Sequence, residues 1–384
     1  MQEIKKRRIV LASVLKPVND PRMLEKMGQS LAERYEVHII GHKCQREENY
    51  PLIFLHALSP FKRLSFSRLL APFRILKKVL DLKPAVLIIC THELLYIALA
   101  AKILIRCKII YDIQENYWRN IFYTKTFPFY LRPFIAGYVR LKEWVTAPLL
   151  DYYFLAEVGY KKEIKFAGHK KIVLENKLKK SVSPILPKKS KGDGCTHLLF
   201  SGTLAETTGV FTAIDIATRL YETDPRIQLL IIGYCARSQT LKQLKSEIAN
   251  KPYIELAGGN SLIPHQQILQ AIQSSDFGII AYPSNPSTTN SIPTKLYEYL
   301  GYQLPILLVD DHKRWSEICS AYDAAIPFDS KNFNGEEMLN VMLNKSFYST
   351  LPMDVFWDSE EKNLLQTVAI LLPAITPPLT PLNS

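Results

Sequence analysis

The chain has 384 residues, 47% hydrophobic and 22% charged, with a formal net charge of +12. That composition excludes a disordered chain, and the length exceeds what one hydrophobic core usually serves, so two domains are expected. Six scattered cysteines (44, 90, 107, 195, 235 and 319) form no CxxC pair and no zinc spacing, which argues against a disulfide framework and a structural metal.

The charge is uneven. Through Pro187 there are 33 Lys+Arg against 16 Asp+Glu, and beyond it 15 against 20. A basic half joined to a mildly acidic half points to one half meeting an anionic surface, whether a membrane leaflet, a diphosphate lipid or nucleic acid. Lys5-Lys6-Arg7-Arg8 precedes only seven largely apolar residues before Lys16, too few for an export segment. The longest apolar runs, such as Ala85–Cys90, are strand-length and cannot span a bilayer. A cytoplasmic protein, peripheral on the inner face of the membrane, is expected.

In chain order, strand-like and helix-like segments alternate. Arg8–Val14 is a short apolar run, and Pro21–Arg34 places Met23, Leu24, Met27 and Leu31 at helical spacing. Val37–Ile40, Ile53–Leu55, a basic amphipathic stretch Phe66–Leu80, Ala85–Cys90, Leu94–Leu104 and Lys108–Tyr111 follow. An aromatic and basic segment then runs to Leu150, ahead of Asp151–Leu155. Ser181–Gly194 is rich in proline, lysine and glycine, which is linker chemistry. The alternation restarts with strand His197–Ser201, helix Val210–Tyr221, strand Ile227–Ile232, helix Gln239–Ala249, strand Tyr253–Leu256 and helix Pro264–Gln273. It continues through Phe277–Ala281, Leu296–Leu300, Ile306–Val309 and Trp315–Ile318 to a final helix Phe356–Leu372 and a loose tail. Such βαβ alternation predicts parallel sheets covered by helices, with ligands at the carboxyl ends of the strands.

The most informative segment is Asn290–Gly301, followed by Leu304-Pro305. Pro293 fixes an extended entry, and Thr294 is placed to cap a helix starting at Lys295. A helix N-terminus offers free amides and partial positive charge to a phosphate. Lys295 opposes that dipole unless an anion lies between them, so its position needs a reason. Glu298 stands one turn along the same face, where a carboxylate can accept two ribose hydroxyl bonds. A surface ion pair of Lys295 with Glu298 is the plain alternative.

These residues resemble the donor-binding segment of GT-B fold glycosyltransferases related to family 4, in which Pro-x-Lys-Leu-x-Glu-Tyr precedes a strand opened by Leu-Pro. The resemblance implies that Glu298 binds the ribose of a nucleoside diphosphate sugar, as the second glutamate of an E-x7-E motif. The first glutamate falls at Asn290, which keeps hydrogen bonding but no charge. Position 303, often glycine in the family, is Gln303. Leu199–Leu204 with Gly209 resembles the family's phosphate turn, but its usual arginine and lysine are replaced by Thr203 and Thr208. Gly202, Gly209 and backbone amides would still cradle phosphate, which shifts the burden onto Lys295.

The N-terminal half is similar more loosely. Asn19-Asp20-Pro21-Arg22 resembles a first-loop variant that would turn Arg22 toward a phosphate or the acceptor. Strand ends carry Thr91-His92-Glu93 and Asp112-Ile113-Gln114-Glu115-Asn116, the latter resembling Asp-x-His-Glu. Asp112 is read as loop bracing ahead of catalysis, Glu115 as an acceptor or sugar contact, and His92 as lining the site. Asn176 is read as structural. No Asp-x-Asp motif is present, and the resemblance implies no metal.

The implied architecture is α/β and GT-B, with two Rossmann-like doubly wound domains facing a central cleft. The expected divisions are an acceptor-binding domain over 1–183, a linker over 184–196, a nucleotide-sugar domain over 197–353, and a helix with a Pro-rich tail over 354–384. The implied activity is transfer of a sugar from a nucleoside diphosphate sugar, a co-substrate rather than a cofactor, with retention, to a glycan or lipid-linked acceptor in surface-polysaccharide assembly. Lys295, Glu115 and His92 are the candidate catalytic residues. Gly202, Thr203, Thr208, Gly209, Asn290, Thr294, Lys295 and Glu298 are candidates for the donor, and Arg22 and Asp112 for the acceptor. Nucleotide-sugar epimerisation and a catalytically weakened scaffold subunit are the rivals. The aromatic rings and cations of Tyr117–Phe154 suit the headgroup zone of a bilayer, and no recognition motif supports nucleic acid as a partner.

Overall fold

The computed structural model describes residues 6–44, 50–59, 61, 65–124, 127–180, 193–283, 285–286, 291–309 and 312–372. Residues 184–192 of the expected linker, Asn290 and the tail from 373 lie outside the described residues. The chain divides into two compact units, one of Met1–Lys179 with Trp357–Ser384 and the other of Lys180–Phe356.

The first unit holds β1 (Arg8–Pro17), β2 (Glu36–His42), β3 (Ile53–Leu58), β4 (Val86–Ile89), β5 (Lys108–Ile113), β6 (Tyr152–Leu155) and β7 (Lys171–Val173). They form a parallel sheet in the order β3-β2-β1-β4-β5-β6-β7. Its helices begin with a π-helical stretch, Arg22–Gly28, running into α1 (Gln29–Ala32). Then come α2 (Phe66–Leu82), α3 (Leu95–Ile105), α4 (Tyr117–Tyr123), α5 (Arg132–Thr146) and α6 (Tyr160–Glu163). The aromatic segment is thus two helices rather than one stretch. Asn116 caps the first by accepting from the Arg119 amide, and Pro133 opens the second at its first turn.

Alternate residues of β1 serve opposite cores, as the two-residue period requires. Val10 and Ala12 pack with Ile75 and Val79 of α2 and with Leu95 and Ala98 of α3. Ile9 and Leu11 pack with Met23, Met27 and Leu31 on the other side.

The second unit repeats the plan. β8 (Thr196–Thr203), β9 (Ile227–Tyr234), β10 (Ile254–Gly259), β11 (Phe277–Ile280), β12 (Ile306–Val309) and β13 (Ala325–Phe328) form a parallel sheet ordered β10-β9-β8-β11-β12-β13. Between them run α7 (Val210–Thr223), α8 (Ser238–Ile248), α9 (His265–Ser274), α10 (Thr294–Gly301), α11 (Lys313–Ser320) and α12 (Gly335–Asn344). Both sheets have the doubly wound order in which the chain reverses direction beside the first strand, and ligands bind at the carboxyl ends there. That crevice lies between β8 and β11 in the second unit.

The last helix, α13 (Asp358–Leu371), belongs to the first unit. Trp357, Leu364 and Val368 enter the core of Met23 and Leu31, and the Trp357 indole donates to Ser30 Oγ at 3.0 Å. The Trp357 amide bonds the Leu178 carbonyl at 2.8 Å, which fixes the returning chain.

Candidate nucleotide-sugar site

The β8–α7 turn is shaped by backbone rather than by charge. Gly209 caps α7 at φ +82°, and a Cβ there would fall 1.8 Å from the Ala281 carbonyl oxygen. Only glycine fits a left-handed residue pressed against the end of β11. Gly202 sits at φ +99° with open space except for Lys295 Cε at 3.8 Å. Thr208 staples the turn. Its hydroxyl lies 2.7 Å from the Thr203 carbonyl and 2.9 Å from that of Ala205, and accepts from the Ala205 amide at 3.2 Å. Thr203 is exposed.

α10 begins at Thr294, one residue earlier than the sequence suggests, with Pro293 as its N-cap at φ −65° and ψ 136°. With Pro293 at the N-cap, its fixed ring rather than a side-chain hydrogen bond supplies the extended entry. At its other end, Gln303 adopts φ +54°; its amide bonds the Leu300 carbonyl at 3.0 Å, and the Leu304 amide bonds that of Tyr299 at 2.8 Å. This paired closure wants a left-handed residue at position 303, which is why glycine suits that place. Tyr299 is fixed by its hydroxyl 2.9 Å from Ser201 Oγ, tying α10 to the end of β8.

Lys295 is 5% exposed. Its ammonium lies 4.1 Å from the centroid of the Phe200 ring and 5.1 Å from that of Tyr282, and among the described residues Nζ has no hydrogen-bond partner. Burial pushes its pKa down to about 7, with Glu298 pulling weakly the other way. Glu298, 6% exposed, does not pair directly with the lysine; its Oε1 lies 2.8 Å from His265 Nε2. The surface ion pair expected as the plain alternative is therefore not formed. His265, Phe200 and Tyr282 carry no signal in the sequence that joins them to Lys295 and Glu298, because each comes from a different element.

In the first unit, Arg22 and Asp112 meet each other. Asp112 is fully buried and Arg22 is 4% exposed. Arg22 Nη2 donates to Asp112 Oδ1 at 2.7 Å, Nε to Oδ2 at 2.9 Å, and Nη1 to the Leu174 carbonyl at 2.9 Å. Gln114 donates to the same carboxylate at 2.9 Å, and Asp20 accepts the Arg22 amide at 3.1 Å. Arg22 thus ties the start of its helix to the end of β5, and its donors are directed at the protein rather than outward. Lys26 holds Asn176 in the same way, at 2.6 Å from its side-chain oxygen.

His92 lies beyond β4 with Nδ1 3.0 Å from Lys142 Nζ, and burial depresses its pKa to about 4. It is a neutral ring accepting from the lysine. Its neighbour Glu93 is held at 2.6 Å by Arg68. Glu115 is exposed and accepts from Asn120 at 2.7 Å. His92 and Glu115 therefore have different hydrogen-bond partners. Among the described residues no group of three or more His, Cys, Asp or Glu could hold a metal.

Two successive doubly wound parallel-sheet units, matched over nearly the whole chain by solved structures, give the GT-B glycosyltransferase fold. No family model and no curated protein matches the sequence. Among solved structures, the chain resembles the sucrose-phosphate synthase of Thermosynechococcus elongatus, with a TM-score of 0.70 and 11% identity over 95% of this chain and 99% of that one. The trehalose-phosphate synthase (UDP-forming) of Burkholderia xenovorans, in complex with glucose-6-phosphate, gives 0.65 at 9% identity over 94% and 100%. HepE of Anabaena, in complex with UDP-glucose, gives 0.62 at 10% identity over 95% and 100%.

Proposed function

We propose that this protein transfers a glycosyl group from a nucleoside diphosphate sugar, bound by the second unit, to an acceptor. The reading rests on one observation: a buried ammonium with no hydrogen-bond partner among the described residues, beside the open glycine turn at Gly202. An unpaired buried cation is unfavourable in the free protein, and a diphosphate would supply the missing charge. The amides of the β8–α7 turn and the α10 N-terminus would take the remaining phosphate oxygens. Glu298, oriented by His265, would accept the ribose hydroxyls.

In the reaction, the bond between the sugar and the diphosphate breaks, the acceptor hydroxyl oxygen takes the sugar, and its proton passes to the departing diphosphate. Charge then builds on the departing diphosphate, and Lys295 stabilises it. Thr203 and Thr208 shape the turn without charge, so Lys295 carries the cationic role. UDP-sugars are the first donors to test, because HepE is complexed with UDP-glucose and the trehalose-phosphate synthase is UDP-forming. A lipid-linked or glycan acceptor in surface-polysaccharide assembly, transfer with retention, and contact of the basic half with a membrane complete the proposal. Calorimetry with UDP-, GDP- and ADP-sugars tests it: one of them should bind, and Lys295→Ala should abolish that binding. Absence of binding at millimolar concentration for all three would sink the enzyme reading.

A further inference from the structure

The outward face of α5 in the first unit has the opposite polarity to the one water would select. Between Arg132 and Thr146 no charged residue of α5 is exposed, whereas Phe134, Tyr138, Leu141, Trp144 and Val145 are 53–77% exposed. The charges are turned inward. Lys142 is 5% exposed against His92, and Glu143 is 2% exposed, accepting from the Tyr111 hydroxyl at 3.0 Å and facing Arg140 at 3.2 Å. A helix that buries its ions and presents its rings is inverted relative to a surface helix in water.

The neighbouring helices continue the pattern. α3 contacts both α2 and α5. Ile103 and Leu104 of α3 are 79% and 62% exposed, and Leu69 and Phe73 of α2 are 66% and 63% exposed. In the second unit, exposed Leu262 and Leu343 stand on separate segments, which is ordinary for a protein surface.

We propose that the first unit docks on an anionic lipid bilayer through the outward sides of α2, α3 and α5. This deepens the membrane part of the functional reading, and it stands on the first unit alone. The exposed cations Arg74 and Lys77 share α2 with exposed Leu69 and Phe73, where they would meet lipid phosphates as those apolar side chains enter the headgroup zone. A symmetric dimer through the same patch would bring like charges together, so a second copy of the chain is the poorer occupant. Among the described residues no helix is long and apolar enough to cross a membrane, which makes the contact interfacial.

Cosedimentation of the full chain with vesicles of phosphatidylglycerol and phosphatidylcholine tests the proposal. Binding should be strong, fall with added salt, and weaken on vesicles of phosphatidylcholine alone. Phe134→Ser with Trp144→Ser should weaken binding by at least about tenfold. Arg74→Gln with Lys77→Gln should weaken it about thirtyfold on anionic vesicles. All four side chains are exposed or solvent-facing, so melting temperature and donor binding should be unchanged and serve as folding controls. Absence of vesicle binding by the wild-type chain overturns the proposal, as does wild-type-level binding by both double variants. A stable dimer that the Phe134 and Trp144 changes dissociate, without vesicle binding, would also overturn it.

Discussion

Arg22 in the first unit and Lys295 in the second are both buried cations, exposed by 4% and 5%, and the protein treats them in opposite ways. Arg22 lies in a fork against Asp112 and spends a further donor on the Leu174 carbonyl. Lys295 lies between the Phe200 and Tyr282 rings and, among the described residues, has no hydrogen-bond partner. A satisfied buried charge braces the fold; an unsatisfied one is a cost that only a ligand offsets. The same residue class therefore reads as structure in one sheet and as a site in the other.

The sharpest way to break this contrast is to remove each cation. Arg22→Met strands Asp112 without its partner, and chemical denaturation should show a loss of about 3–5 kcal/mol. Lys295→Met relieves the unpaired ammonium, so stability should rise by about 1–2 kcal/mol while donor affinity falls at least about a hundredfold. A loss of stability in both variants would erase the distinction.

The pH dependence of the Lys295 contribution has a definite sign. Its folded pKa of about 7 lies below its ordinary value of 10.5, so between these values the unfolded chain holds more protons. Wild-type stability relative to Lys295→Met should therefore rise with pH from about 7 to 10.5, and the gap should be widest below pH 7.

Two smaller changes probe the supporting residues. Glu298→Gln keeps a hydrogen-bonding group but removes the charge that faces His265, and donor affinity should fall about tenfold with little change in melting temperature. Gln303→Gly removes a side chain from a left-handed residue and should stabilise the chain by about 0.5–1 kcal/mol without altering donor binding.

Much of this was legible in the sequence where periodicity and local motif coincide. All strands but the edge strands β7 and β13 stand as apolar runs in the sequence, and Pro293-Thr294-Lys295 marks the start of α10 within one residue. The edge strands Lys171–Val173 and Ala325–Phe328 are three and four residues long, too short for a two-residue period to show. Pairings across long separations are equally silent. Nothing local joins Arg22 to Asp112, ninety positions on, or His265 to Glu298. Helical spacing in α5 shows two faces but does not say which is inward; only the buried Lys142 and Glu143 decide that. Likewise, the returning helix α13 reads as a final helix, but its place in the first unit depends on Trp357 reaching Ser30.

The central claim is that the diphosphate supplies the counter-charge that buried Lys295 lacks. Calorimetry of UDP-glucose binding at pH 8, in buffers of different ionisation enthalpy, tests it most directly. With a free-protein pKa of about 7, most Lys295 is neutral at that pH, and binding should take up most of one proton. Binding of UDP-glucose by the wild-type chain with no proton uptake would contradict the account.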